Sequence, residues 1–269
     1  MTRLTAEWIE NMEAEMNQYN KILKDKISVD LCQLAGICCN ISPKEMEQAK
    51  KVLRIASVPI TQGKGIINKF SQSVAAITRS MGFDSFVTEH TDVNGIYDAV
   101  KEKTDVVFFA DDDRYLALNL KTGEYGENNF ATALGYITAL DILMDKNNRD
   151  IYKEELLLIG YGLVGEEASK ILQSRNIDFA VYDKDYNAVK HLGNDILKFP
   201  YEIKNYRNIL DFTNEGGWLK KDLLAEDALI ATPGVPLSLE KEAKAHFEKN
   251  AVYDLLEIGT AVMLGLVIK

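Results

Sequence analysis

The sequence predicts an α/β protein with helices at its amino end, a small α/β domain, and a second α/β domain built on a parallel sheet. Two observations indicate this class. Short apolar runs alternate with amphipathic stretches along most of the chain, as expected when strands alternate with helices. In the second half, one apolar run leads directly into a Gly-x-Gly-x-x-Gly turn, Gly160–Gly165. At 269 residues the chain is long enough for two domains, each with its own core.

The first half begins with helical patterns and continues as alternating strands and helices. Apolar periodicity predicts helices at 5–24 and 28–38, and Ser42-Pro43 predicts a third that begins at Lys44. A βαβαβ order follows, with strands at 51–58, 85–88 and 105–110 and helices at 66–81 and 93–103. We place a further strand, 115–120, at the edge of this sheet. These elements form the predicted substrate domain, residues 1–128.

A turn-rich segment, 121–128, precedes a long helix at 129–144, and we assign 129–150 as the connector between the domains. Residues 151–269 form the second predicted domain. Its strands are expected at 156–159, 179–182, 208–212, 228–231 and 251–255, with a helix at 166–174. A last helix after Gly259 is expected to return toward the first domain, which would leave a cleft for substrate between the domains.

Each position of the glycine turn has a physical role in a Rossmann-type dinucleotide site. Gly160 permits the tight turn, Gly162 allows a pyrophosphate to approach the backbone, and Gly165 allows the following helix to pack closely on the strand. Leu163 and Val164 lie between the last two glycines, where free N–H groups and the positive end of the helix dipole face the phosphates. The turn therefore predicts a dinucleotide site.

An acid at the end of the next strand specifies the cofactor. Asp183 follows strand 179–182 and can accept both ribose hydroxyls of the adenosine, while its charge repels the extra phosphate of NADP. We therefore expect NAD. Further cofactor contacts are expected from small-residue loops at the ends of the later strands, namely Asn214 near the adenine, and Thr232-Pro233 and Gly259-Thr260 near the nicotinamide. An isolated Pro-Gly is more often an ordinary turn, but three such loops on one side of a sheet favour binding.

The run Asp111-Asp112-Asp113 after strand 105–110 has two interpretations. Acids are common in solvated turns, and on spacing alone this interpretation is favoured. The alternative is an acidic clamp for an ammonium group, to which Asp254 and Glu257 would add negative charge. The chain has three histidines, and none has a partner at the spacing of a catalytic triad or a metal site. We therefore predict neither a catalytic base nor a metal.

Composition excludes several classes of partner. A formal net charge of −10 argues against nucleic acid and anionic membranes. No apolar run approaches the roughly 20 residues that span a bilayer, and the amino end lacks the pattern of a secretory signal. Cys32, Cys38 and Cys39 are interpreted as small apolar residues, with a buried pair among them, in a reducing cytosol. We expect a cytoplasmic protein.

Several segments together resemble the PylD family, the dehydrogenases of pyrrolysine biosynthesis, over nearly the whole chain. The more specific ones lie in the first half: Leu4-Thr5, Val58-Pro59-Ile60-Thr61-x-Gly63-x-Gly65-Ile66-Ile67, Phe70-Ser71, Gly82-Phe83-Asp84-Ser85-Phe86, Ala110-Asp111-Asp112 and Asn119-Leu120-Lys121. The second half adds the glycine turn, which many dehydrogenases share, with Tyr182-Asp183, Thr232-Pro233-Gly234 and Gly259-Thr260-Ala261.

The resemblance implies NAD-dependent oxidation of lysine-Nε-3-methyl-D-ornithine (methylornithyl-lysine). Its terminal amine would lose a hydride, and the resulting semialdehyde would cyclise to pyrrolysine with release of ammonia. The resemblance also implies substrate contacts from Leu4, Ser57, Ile60, Asp84, Asp111 and Asp254. Where the family favours Glu-Pro-Leu-Gly, this chain has Asp254-Leu255-Leu256-Glu257, so Glu257 would add a charge near the nicotinamide. Without a base, we expect activity to rise toward alkaline pH.

Two other functions are compatible with these patterns. One is a different NAD-dependent oxidoreductase that acts on an amino acid or an imine. The other is a redox sensor that binds NAD without turnover. A homodimer is common among such enzymes, but the sequence leaves the oligomeric state open.

Overall fold

The computed structural model of the protein describes residues 4–193 and 195–268, which form two compact units. The first unit contains the chain up to Asp25, Val29–Gly135 and the chain from Leu256 onward. The second unit contains Lys26–Ser28 and Tyr136–Leu255. The division into a substrate domain, a connector and a cofactor domain stays a prediction about function.

Four helices precede the first strand: α1 (Ala6–Ile9), α2 (Met12–Ile27), α3 (Leu31–Cys39) and α4 (Pro43–Val52). The single helix predicted at 5–24 is wrong, because the chain turns at Glu10–Asn11. The carbonyl of Asn11 accepts the N–H groups of Ala14 and Glu15, so a new helix starts there. Capping boxes, in which side chain and backbone bond reciprocally, begin α3 at Asp30 and α4 at Ser42.

The first unit contains a five-stranded sheet in the order β2-β1-β3-β4-β5. Its strands are β1 (Arg54–Val58), β2 (Asp84–Val87), β3 (Val106–Ala110), β4 (Tyr115–Asn119) and β5 (Tyr125–Glu127). Strands β2, β1 and β3 are parallel and are connected by α5 (Phe70–Ser80) and α6 (Asp92–Lys101), which confirms the predicted βαβαβ order. Strands β4 and β5 add to it in antiparallel fashion.

Three details of this sheet differ from the prediction. The strand expected from residue 51 begins at Arg54, because Lys51 and Val52 complete helix α4. The helix expected from residue 66 begins at Phe70, because Lys69 has a left-handed backbone with φ of 70°. Strand β4 is interior rather than an edge, because β5 covers it. Strand β5 is three residues long and lies in a segment rich in turn-forming residues, so the sequence pattern did not indicate a strand there.

A last helix, α11 (Glu257–Val267), packs in the first unit. Its backbone comes so close to β5 and α3 that glycine is required at two contacts. A Cβ on Gly126 of β5 would lie 2.7 Å from the carbonyl oxygen of Met263. A Cβ on Gly265 would lie 2.6 Å from the sulfur of Cys39. Cys39 is buried as predicted, whereas Cys32 and Cys38 are only partly buried, and all three are reduced thiols.

The second unit contains a fully parallel sheet in the order β10-β9-β8-β6-β7. Its strands are β6 (Leu156–Ile159), β7 (Phe179–Tyr182), β8 (Asn208–Asp211), β9 (Leu229–Pro233) and β10 (Ala251–Asp254). Each lies within about two residues of its predicted bounds. The helices are α7 (Asn128–Lys146), which begins in the first unit, α8 (Leu163–Ser174), α9 (Tyr186–Val189) and α10 (Lys241–His246), with 3₁₀ turns at Pro200–Asn205 and Lys221–Leu223.

This order is doubly wound and confirms the α/β fold class. The chain moves from β6 to β7 on one side and then crosses to β8 on the other, so the direction of winding switches between β6 and β8. Ligands of such sheets bind outside the carboxyl ends of the strands at this switch point. Strand β6 is wholly buried, which explains its unbroken apolar sequence. Among the described residues, no helix combines the length and apolar character needed to cross a bilayer.

Candidate cofactor and substrate sites

The glycine turn lies at the carboxyl end of β6, and two of its glycines are required by the packing. Gly160 has a φ of 83°, and a Cβ there would lie 2.9 Å from backbone atoms of Phe212 and Thr213. A Cβ on Gly165 would lie 1.9 Å from the carbonyl oxygen of Gly160. Because backbone cannot move aside as a flexible side chain can, only glycine fits at both positions. The fold itself therefore selects these two glycines.

Gly162 differs from the other two, because the protein does not fill the space beside it. A Cβ built there would meet no atom of the described residues within 4 Å. Gly162 is also the N-cap of α8 and has no side chain to cap the first turn, whereas Asp30 and Ser42 cap α3 and α4. The first-turn N–H groups of a helix have no acceptor within the helix. The open turn and these donors, beside Leu163 and Val164, fit a pyrophosphate.

Asp183 lies against this turn. One carboxylate oxygen accepts the backbone N–H of Tyr161 at 2.7 Å, and the other accepts that of Asp185 at 2.8 Å. The two bonds orient the carboxylate at the end of β7, next to the glycine turn on β6. The fold thus brings the predicted ribose acceptor to the predicted phosphate cradle, 18 or more residues apart in the chain.

The loop after β8 carries Asn214, which is exposed, and begins beside Gly160. A buried acid that we did not predict anchors this loop. Asp211 accepts hydrogen bonds from Ser238 and from both the N–H and the hydroxyl of Thr213, the latter two at 2.9 and 2.8 Å. Burial raises the pKa of the Asp211 carboxyl, and these hydrogen bonds act in the opposite direction. The signal in the sequence was an acid ending the apolar run of β8.

The later cofactor candidates are more enclosed than predicted. Thr232 and Pro233 belong to strand β9 rather than to the loop after it, and Thr232 is completely buried. Gly259 and Thr260 lie in the first turn of α11, in the first unit, whereas the glycine turn is in the second. The hydroxyl of Thr260 shares a buried hydrogen bond of 2.8 Å with Tyr115. A cofactor role for these four residues stays a prediction.

In the first unit, the switch point of the sheet lies between β1 and β3. Ser57 is buried at the end of β1, and Ile60 packs on the core just beyond it. Asp111 follows β3 and is exposed. The fold thus places all three at the carboxyl edge of two neighbouring strands, where a ligand of this sheet would bind.

The side chain of Asp111 also shapes its own turn. Its Oδ1 accepts the backbone N–H groups of Asp113 and Arg114, both at 2.8 Å. The neighbouring Asp112 accepts the N–H of Lys64 at 2.6 Å, which ties the loop after β3 to the loop after β1. This geometry supports the turn interpretation and leaves the Asp111 charge exposed at the carboxyl edge.

Asp84 lies elsewhere. It is the first residue of β2 and pairs in register with Arg54, the first residue of β1, so it lies at the amino edge of the sheet. Its carboxylate is 3.2 Å from the Nε of Arg54. Since parallel strands place their first residues side by side, the fold does not bring Asp84 to Ser57 or Asp111.

Leu4 lines a shallow pocket of about 360 Å³ in the first unit. The other lining residues are Thr5 and Ala6 at the start of α1, and Ile66, Ile67 and Asn68 before α5. Both segments carry the specific part of the sequence resemblance, so the pocket joins motifs that are 60 residues apart.

Asp254 is buried at the end of β10 and is held by a residue that sequence reasoning missed. The hydroxyl of Tyr136 donates to the Asp254 carboxylate at 2.8 Å. Tyr136 lies within the apolar helix α7, where nothing in the sequence distinguishes it from a core residue. Glu257 is also buried, and its carboxylate accepts the N–H of Leu256 at 2.8 Å.

A histidine–carboxylate pair is present in the first unit. Nδ1 of His90 lies 2.9 Å from a carboxylate oxygen of Asp98, which also accepts the His90 backbone N–H at 3.0 Å. The Asp98 carboxylate raises the pKa of His90 above its ordinary value. The sequence analysis considered only triad and metal spacings and did not single out this pair, whose acid comes from helix α6, eight residues away.

Comparisons with known proteins identify the family. Residues 8–126 match the family described as pyrrolysine biosynthesis protein PylD, N-terminal domain. A pyrrolysine synthase of Methanosarcina acetivorans is 30% identical over 268 residues, which cover 98% of each chain. A pyrrolysine synthase of Methanosarcina barkeri is 28% identical over 267 residues, which cover 98% of this chain and 97% of the relative.

The fold is similar to that of shikimate 5-dehydrogenase from Thermus thermophilus in complex with shikimate. The TM-score is 0.50 at 13% identity, over 80% of this chain and 91% of the other. At this identity the likeness concerns the fold alone. Since a relative with 30% identity spans nearly all of both chains, the protein belongs to the PylD family of pyrrolysine biosynthesis enzymes, the pyrrolysine synthases.

Proposed function

We propose that the protein is an NAD-dependent oxidoreductase that converts lysine-Nε-3-methyl-D-ornithine to pyrrolysine. The terminal primary amine of the ornithyl group loses a hydride to NAD and a proton, which gives an imine. Water hydrolyses the imine to a semialdehyde and releases ammonia. The aldehyde then condenses with the remaining ornithyl amine, with loss of water, and this closes the pyrroline ring. Ring closure is intramolecular and benefits from proximity alone.

The proposal that the protein binds NAD rests on the open glycine turn beside Asp183. Gly162 leaves the space next to the first turn of α8 free, and the N–H groups of that turn can bind a pyrophosphate. The Asp183 carboxylate, held by the N–H of Tyr161, can accept the two ribose hydroxyls of NAD. A 2′-phosphate in the same place would meet a negative charge, and this supports NAD over NADP.

The proposed substrate rests on family membership. The relatives that match over nearly the whole chain are pyrrolysine synthases, and the family match over residues 8–126 includes Ser57–Thr61 and Asp111 at the edge of the first sheet. We assign Leu4, Ser57 and Ile60 to substrate contacts, and Asp111 and Asp254 to the substrate ammonium groups. Carboxylates suit this role because charge-assisted hydrogen bonds to ammonium groups are strong.

The experiment is a direct assay on the full-length protein. The protein is incubated with NAD and synthetic methylornithyl-lysine, NADH is followed by absorbance, and pyrrolysine is detected by mass spectrometry. We expect one NADH per pyrrolysine, and a higher rate at alkaline than at neutral pH because the amine must be neutral to lose a hydride. Free ornithine, lysine and shikimate serve as alternative substrates, and Gly162→Ala serves as the cofactor-site control.

Each outcome separates the two halves of the proposal. NADH formed only with another amino acid would overturn the substrate. NAD binding without turnover on any substrate would favour a sensor that binds NAD. Turnover with NADP and not with NAD would overturn the cofactor while leaving the reaction class in place.

A further inference from the structure

An ion pair lies beside the predicted ribose site. Lys184 directly follows Asp183, and its ammonium lies 2.8 Å from the carboxylate of Glu215 in the loop after β8. Both side chains are largely exposed, at 75% and 58%. Neither residue follows from the glycine motif, and the proposed chemistry uses neither of them.

The order of the strands shows what this ion pair spans. Strand β6 lies between β7 and β8. Lys184 extends from the loop at the end of β7, and Glu215 from the loop at the end of β8. The two loops therefore flank the glycine turn at the end of β6, and their ion pair connects them on the side of the sheet where the adenosine would bind.

The charges beside the proposed ribose site affect whether NAD or NADP binds there. A lysine next to the ribose acid is a potential partner for the 2′-phosphate of NADP, since a phosphate prefers cationic neighbours. Here the ammonium of that lysine already forms an ion pair with the carboxylate of Glu215. Asp183, Lys184 and Glu215 together carry a formal charge of −1, so a phosphate meets two carboxylates and one ammonium that is already paired.

We propose that Glu215, by pairing with Lys184 across the glycine turn, is a second determinant of the preference for NAD over NADP, alongside Asp183. This inference rests on the proposed function, because it requires a dinucleotide at the glycine turn. If the charge of Glu215 is removed, the ammonium of Lys184 becomes available to the 2′-phosphate of NADP. NAD binding should change little, since NAD carries a neutral hydroxyl in place of that phosphate.

The test is calorimetric titration of NAD and NADP into the full-length protein and three variants. Glu215→Gln preserves size and removes the charge. Lys184→Gln combined with Glu215→Gln removes the ammonium as well. Asp150→Asn is the matched control, because Asp150 pairs with Lys153 at 2.7 Å in another exposed ion pair and precedes the amino end of β6. Thermal unfolding of each variant checks that the fold is retained.

We expect Glu215→Gln to lower the Kd for NADP about tenfold, the size of effect that one unit charge has on a nearby phosphate in water. The Kd for NAD should change less than about twofold, and Asp150→Asn should affect neither. The double variant should lose most of the gain for NADP, because Lys184 is then absent.

Two results would overturn the inference while leaving the proposed function in place: an NADP affinity of Glu215→Gln equal to that of the control, or a double variant that retains the full gain. Failure of the wild-type protein to bind either dinucleotide would overturn the proposed cofactor, and this inference with it.

Discussion

The buried hydroxyl of Tyr136 donates a hydrogen bond to the carboxylate of Asp254 at 2.8 Å and accepts the Asp254 backbone N–H at 3.2 Å. One phenol oxygen thus orients both the main chain and the side chain of Asp254 at the end of β10. Tyr136 is 118 residues away in the chain, on helix α7. An acid proposed to hold a substrate amine is therefore pre-oriented by a neighbour that does not itself need to contact substrate.

Tyr136→Phe should lower the free energy of unfolding by about 1.5–3 kcal/mol, the cost of removing a hydrogen bond from a buried charged group. Urea unfolding measures this change. Tyr152→Phe is the matched control, because Tyr152 is exposed and its hydrogen bond to Asp150 comes from the backbone N–H, which the substitution keeps. If both variants unfold at the same urea concentration, the Tyr136 hydrogen bond does not stabilise the fold.

Two glycine substitutions in the same turn should separate folding from cofactor binding. Gly165→Ala places a Cβ 1.9 Å from the carbonyl of Gly160 and should lower the melting temperature strongly. Gly162→Ala meets open space and should unfold within about 1 kcal/mol of the wild type, the cost of losing a favourable N-cap residue. Its Kd for NAD should nevertheless rise at least about tenfold, because the methyl group occupies the proposed pyrophosphate position. Differential scanning calorimetry and calorimetric titration measure the two effects, and unchanged NAD binding by Gly162→Ala would argue against a pyrophosphate at this turn.

Asp183→Asn should weaken NAD binding about tenfold or more, since each hydrogen bond to a charged acceptor contributes about 1.5–3 kcal/mol. The measurement is the Kd for NAD by calorimetric titration. Asp185→Asn removes a charge two residues away, from the side chain that caps α9, and serves as the control. Equal affinities of the two variants would show that Asp183 does not contact the ribose.

Asp111→Asn should preserve the turn after β3, because the amide oxygen can still accept the N–H groups of Asp113 and Arg114. We expect a higher KM for methylornithyl-lysine with an unchanged Kd for NAD, because only the charge toward the ammonium is lost. Asp113→Asn, in the same turn, is the matched control. If steady-state kinetics of the Asp111 and Asp113 variants coincide with those of the wild type, the run of acids is an ordinary solvated turn.

The pKa of His90 should lie above its ordinary value of about 6.5, since the Asp98 carboxylate favours the imidazolium. Because the pKa is raised by folding, the pair stabilises the folded protein below the ordinary pKa, and this stabilisation is lost as pH rises through the folded pKa. Asp98→Asn should shift the pKa of His90 downward. An NMR titration of the imidazole signals measures it, with Glu89→Gln as the control for a neighbouring acid. A His90 pKa that is the same in both variants would mean that Asp98 does not control it.

The sequence predicted the second unit well and the first unit in outline. The buried run of β6, the glycine turn and Asp183 lie within 28 residues, and local backbone requirements dictate the residue types there. In the first unit, the parallel strands were predicted, but the order of β4 and β5 was not. Strand β5 is held by its pairing with the neighbouring strand β4 and by the approach of α11 to Gly126, and α11 is remote in sequence.

By itself, the sequence determined the fold class, the position of the glycine turn and the family, because periodicity, glycine spacing and family motifs are properties of short segments. Only the tertiary structure decided which side chains meet: Tyr136 with Asp254, His90 with Asp98, Lys184 with Glu215, and Asp84 with Arg54 rather than with Ser57. The physical reason is that strand order, register and crossing connections decide which loops share an edge. Hydrogen bonds and ion pairs act over about 3 Å, so they depend on that arrangement and not on distance along the chain.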